Sequence, residues 1–98
     1  MGNSLKSARF LIESRLRDAA RGDGDACYDL GVCYSTGASG VDVDLIEAHK
    51  WFNLAAVAGL AAAQEARADV AEDMTAREIA TAQRAARDWI AATTRRAA

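Results

Sequence analysis

Apolar residues recur along this chain at helical spacing, and no stretch shows the two-residue alternation of a strand. Leu5, Ala8, Ile12, Leu16 and Ala19 share one narrow stripe, which predicts a first helix over Ser4–Ala20. Phe10 lies off that stripe, roughly 140° from Leu5 at about 100° per residue. Its ring either covers a neighbouring loop or stands exposed as an anchor for another chain. Arg21-Gly22-Asp23-Gly24-Asp25 breaks the chain, with glycines for the turn and either aspartate able to cap the next helix. That second helix is expected over Ala26–Tyr34, ended by the Ser35–Gly40 run with its two glycines. Asp44 with Glu47 three residues on reads as an N-cap. It opens a third helix, Leu45–Ala58, which stops at Gly59. A fourth runs over Leu60–Ala71. Thr75 and Glu78 form a capping box for a fifth, whose stripe is Ile79, Ala82, Ala86, Trp89 and Ile90. The tail from Thr94 to Ala98 is expected to fray.

Composition strengthens this reading. The chain has 98 residues, with 24 alanines and no proline, a bias toward helix and away from strand. Its length suits one domain, residues 1–98, and is too short for two. The expected fold class is all-α: about five helices in stacked antiparallel hairpins. No window approaches the length of uncharged apolar chain that a membrane span needs. The first residues lack the apolar core of a signal peptide, which favours a cytoplasmic location. Cys27 and Cys33 are too few for a disulfide framework and too far round one helix to pair, so both read as reduced, buried or half-buried thiols.

Charge divides the chain more sharply than the net of −2 suggests. Residues 1–22 carry five basic and two acidic groups, residues 23–73 two and ten, and residues 74–98 five and two. An acidic middle is flanked by basic ends. The ends can complement the centre within the molecule, or the centre can attract a basic partner. Nucleic acid is a poor candidate, because the basic residues are split between two ends with no aromatic interleaving.

The chain also resembles itself at a shift of 37 residues. Gly22 falls on Gly59, Ala26 on Ala63, Gly31 on Ala68 and Tyr34 on Ala71, so small residues meet small residues where helices would touch. Leu30 falls on Arg67, so the second copy is degenerate. The run from Asp23 to Gly59 contains Leu30-Gly31, Tyr34, Gly40-Val41, Asp44, Ala48, Trp51-Phe52, Ala55-Ala56 and Gly59 in order. In this it resembles one full Sel-one-like repeat, of the family related to the tetratricopeptide repeat. The resemblance implies a short α-solenoid. Residues 1–22 would be a capping helix, 23–59 the full repeat, 60–93 a degenerate second repeat in which Trp89 echoes Trp51, and 94–98 the tail.

The expected core is Ala26, Leu30, Gly31 and Tyr34 on the second helix against Ala48, Trp51, Phe52, Ala55 and Ala56 on the third. Val41 folds back to plug the open end of that hairpin, and Trp89 joins from the fifth helix. Large rings set against small residues interlock without voids.

Candidate chemistry is sparse. His49 has no second metal ligand one turn away apart from Asn53, so it reads as a packing or surface residue and no metal or cofactor is expected. A Cys27 or Cys33 nucleophile with His49 as base would lack any oxyanion-hole glycine motif. The carboxylate pairs fit caps and turns, and the glycines lack the lysine or strand of a phosphate loop. The expectation is therefore no enzyme. In solenoids of the resembling kind, the first helix of each hairpin lines a concave, partner-gripping side. That implies inward positions at Asp25, Tyr28, Val32 and Ser35, and after the shift at Ala62, Glu65, Asp69 and Glu72. Together they would form an acidic groove with one aromatic, suited to a basic or amphipathic peptide. The resemblance thus implies a protein-binding scaffold or adaptor of bacterial type. The alternatives are self-assembly into a homo-oligomer through Phe10 and, further off, a cysteine-dependent enzyme.

Overall fold

A computed structural model describes residues 2–97, and within the terminal helices the side chains of residues 7–95. Leu5, a member of the first predicted stripe, lies outside those side chains. The described residues form α1 (Gly2–Ala20), α2 (Gly24–Thr36), a single 3-10 turn (Ala38–Gly40), α3 (Leu45–Val57), α4 (Ala61–Ala71) and α5 (Ala76–Ala97). They contain no strand.

The helix ends explain the boundaries. Asp23 caps α2, its carboxylate accepting from the N–H groups of Asp25 and Ala26 at 2.9 and 3.3 Å. Because Asp23 rather than Asp25 is the cap, α2 starts at Gly24, two residues earlier than its apolar pattern suggests. It ends at Gly37, whose φ of 81° is left-handed. Asp44 caps α3 by accepting from Glu47 N–H at 3.1 Å. The Asp44 N–H donates back to the Tyr34 carbonyl at 2.9 Å, closing the loop between α2 and α3. The α5 capping box is reciprocal: Thr75 N–H donates to Glu78 Oε1 at 2.8 Å, and Glu78 N–H to Thr75 Oγ1 at 3.1 Å. Helix α5 also runs on through Thr94 to Ala97, where the sequence suggests fraying. The tail holds no glycine or proline to stop it, and the Thr93 hydroxyl stays inside the helix by donating to the Trp89 carbonyl at 2.9 Å.

The 37-residue repeat is visible in the backbone. At the end of α1, Gly22 N–H donates to Ala19 and Asp23 N–H to Asp18. At the end of α3, Gly59 N–H donates to Ala56 and Leu60 N–H to Ala55. These are the same bonds one period later, around two left-handed glycines, Gly22 (φ 91°) and Gly59 (φ 105°).

Helix α3 is the centre of the stack. It packs along α2 and also against α4 and α5, while α1 covers α2. Trp51 and Leu30 are the largest fully buried side chains. Ala26, Ala48, Phe52 and Ala55 are buried with them, and Ala63, Ala82 and Ala86 bring α4 and α5 in closely. Gly31 is required for the α2–α3 approach, since a Cβ there would sit 2.6 Å from the Phe52 ring. Tyr34, Ala56 and Trp89 are half-buried against the core. Val41 is half-buried and lines a cleft with Ala8, Arg9 and Ile12 of α1. The 3-10 turn just before it packs on α1, and a cleft remains between that helix and Val41.

Candidate functional site

The predicted groove positions divide between α2 and α4. On α2, Asp25 is exposed in the first turn, and Tyr28 and Val32 are half-buried. The Tyr28 ring leans on Phe52, centroids 5.4 Å apart and planes tilted by 59°. It therefore presents one face and its hydroxyl end while the other face is fixed by α3. Ser35 is half-buried and turns its hydroxyl back to the Val32 carbonyl at 3.1 Å. On α4, Ala62, Glu65, Asp69 and Glu72 are all exposed. No extended packing joins α2 to α4; each rests on α3. The aromatic and the acidic row thus stand on two helices bridged by a third.

The acidic row is unfavourable for the helix that bears it. Glu65 and Asp69 are like charges one turn apart. Asp69 and Glu72 crowd the negative end of the helix dipole, and the last turn of α4 holds no basic residue. Among the described residues, the ion pairs are Arg15–Asp29 at 2.9 Å and Lys50–Glu47 at 3.0 Å, and neither involves this row. The only cation of α4, Arg67, instead donates from Nη1 to Asn53 Oδ1 on α3. Arg67 stands at the position that Leu30 holds one 37-residue period earlier, but is half-buried where Leu30 is fully buried.

His49 and the cysteines are placed for packing. His49 is 3% exposed, and its Nδ1 finds no partner among the described residues. Burial, with Arg67 adding to it, holds the imidazole below its usual pKa and so uncharged near neutrality. Burial pushes the Cys27 thiol up to about 11, with Asp23 adding to the effect, and leaves almost no thiolate at neutral pH. Cys33 is also buried. A cysteine-based reaction therefore has no activated nucleophile at Cys27. Among the described residues no three His, Cys, Asp or Glu side chains gather as metal ligands. No helix among them is long and apolar enough to cross a membrane.

A second surface has little sequence signal. The carboxyl ends of α1 and α3 and the second half of α5 enclose a groove of about 370 Å³. Cys27 and Leu54 line it together with Trp89, Val57 and Ile90. In the sequence, Ile90 is readable only as a member of the α5 stripe, and Val57 only as an apolar residue near a helix end. Their exposure comes from how α5 crosses α3.

These features define a short stack of helical hairpins in which the buried histidine and thiols lie in the packing between helices. The family model of the Sel1 repeat matches residues 24–60. The matched residues, which form α2, α3 and the turn into α4, are thus similar to a Sel1 repeat, which implies a tetratricopeptide-like arrangement of these helices. Repeats of this family generally mediate protein–protein interaction and are typically non-catalytic. No curated protein and no solved structure matches the chain.

Proposed function

We propose that this protein is a non-catalytic scaffold or adaptor that holds a basic or amphipathic peptide segment against α2 and α4. The acidic row carries this reading. Glu65, Asp69 and Glu72 weaken their own helix locally and have no counter-ion among the described residues. A feature that runs against local stability without intramolecular compensation is expected where a partner supplies the compensation. Tyr28, braced by Phe52, offers a flat surface for an arginine or lysine stem, and Val32 continues it toward the end of α2. Asp25 adds a carboxylate at the start of that helix. Residues 60–93 act as the degenerate second repeat, supplying the acidic helix and the covering helix α5.

The test is titration of isotope-labelled protein with lysine- and arginine-rich helical peptides, read by amide shifts. Perturbation should centre on Tyr28, Glu65 and Asp69 and weaken with salt. Glu65→Lys combined with Asp69→Lys should abolish binding with helicity unchanged. Binding that survives the charge reversal would remove the proposal.

A further inference from the structure

The groove between the ends of α1, α3 and α5 carries the opposite charge from the acidic row. Cys27 and Leu54 form its buried floor, and Val57 and Ile90 line it while 68% and 38% exposed. Arg21 is the one charged side chain of the lining, and it is exposed. Arg17, one turn back on α1, is exposed as well, with its guanidinium 6.0 Å from the centroid of the exposed Phe10 ring. Arg87 is exposed one turn before Ile90 on α5. None of these three arginines joins an ion pair among the described residues. Arg15 marks the contrast, since it reaches α2 and bonds Asp29 there at 2.9 Å. Among the described residues no carboxylate lines the groove. Asp23, beside Gly22 of the lining, is turned onto the N–H groups at the start of α2. The carboxyl ends of α1 and α3 bring partial negative charge, about half a unit each, and the full charges of Arg17 and Arg21 outweigh it at the α1 end.

From this combination of an apolar floor and an unpaired basic rim we infer that the groove is a second docking port, which takes an acidic segment of another protein. A large apolar side chain of that segment sits over Leu54 between Val57 and Ile90, and a neighbouring carboxylate pairs with Arg21. Arginine suits this role because its planar fork meets a carboxylate with two hydrogen bonds. The volume of about 370 Å³ is at the low end for ligand pockets, roughly 300–1,000 Å³, and so suits a few side chains. Helix α4 contributes nothing to the lining, so this port does not rest on the acidic row. With segments of opposite charge held at two places, one small chain can bridge two partners.

Titration of isotope-labelled protein with a short capped peptide, one phenylalanine flanked by glutamates, tests this. The readouts are amide shifts and the indole resonance of Trp89, which lines the groove. Shifts should centre on Arg21, Val57, Ile90 and the Trp89 indole, shrink with salt, and leave Glu65 and Asp69 unmoved. The same peptide with glutamines for glutamates should bind about tenfold more weakly. Arg17→Glu combined with Arg21→Glu should weaken the acidic peptide by about tenfold or more with helicity unchanged. Val57→Ser should weaken the acidic and the glutamine peptide alike, and Ile90→Ser replaces it should Val57→Ser lose helicity. An acidic peptide that leaves the groove signals unmoved, or that binds the charge-reversed protein equally well, would overturn the inference. So would a groove that takes only a lysine version of the peptide, or one that a second copy fills as protein concentration rises.

Discussion

Trp51 and Trp89 meet edge to face, ring centroids 4.9 Å apart at 73°, with the Lys50 ammonium 4.4 Å from the Trp51 ring centroid and 5.9 Å from that of Trp89. This contact joins the Sel1-like segment to the helix that covers it. Glu47 holds Lys50 in place from one turn back on the same helix.

Trp51 is 1% exposed, so Trp51→Ala should leave a cavity and cost about 3–5 kcal/mol. Against a total stability of about 5–15 kcal/mol, that brings the domain near unfolding at room temperature. Trp89 is only half-buried, and Trp89→Ala should cost clearly less. Urea titrations monitored by far-ultraviolet circular dichroism give both values, and equal costs for the two would contradict the burial difference.

Gly31→Ala sets two effects against each other. Alanine is the better helix former by about 1 kcal/mol. The new methyl carbon, however, would lie 2.6 Å from the Phe52 ring, which is itself buried. Overpacking of this kind costs about 1–3 kcal/mol, so the net expectation is destabilisation. Phe52→Leu should be less harmful in the Gly31→Ala background than alone, and a double-mutant cycle reads that coupling.

His49 makes the fold sensitive to acid. Its folded pKa lies below the usual 6.5, so its contribution is fully present above that value. As pH falls through the folded pKa, the unfolded chain already carries the proton that the buried ring resists, and stability declines. Urea midpoints should drop between neutral and mildly acidic solution, and His49→Leu should flatten the drop. An unchanged slope in the variant would assign the acid sensitivity to the carboxylates.

Cys27 gives the opposite dependence at high pH. The folded thiol titrates at about 11 against 9.0 for an ordinary thiol, so stability should fall as pH rises between these values. In neutral solution both buried thiols should resist iodoacetamide in the native state and react once the chain is unfolded. Rapid native labelling of Cys27 would disprove its burial.

Much of this architecture is legible in the sequence because its signals are local. Asp44 with Glu47 and Thr75 with Glu78 are caps read from three-residue spacing, and both form as hydrogen bonds. Gly22 and Gly59 mark the repeat because no other residue ends a helix as readily in a left-handed turn. Long-range placement is less legible. The cleft that Val41 shares with Ala8 and Ile12 depends on the path of the 3-10 turn across α1, which no local spacing encodes. The positions of Glu65, Asp69 and Glu72 on one exposed face come from helical spacing. Their lack of ion pairing, and the diversion of Arg67 to Asn53, depend on neighbours from a different helix.

The central position of α3 bears on how the chain reaches its folded state. Its two immediate neighbours in sequence, α2 and α4, are also neighbours in space, so little loop entropy is lost before the first contacts form. Folding can start at this middle rod and spread toward both termini. The slowest-exchanging amides should then cluster around Trp51 and Ala55, while the outer halves of α1 and α5 open and close many times before the centre lets go.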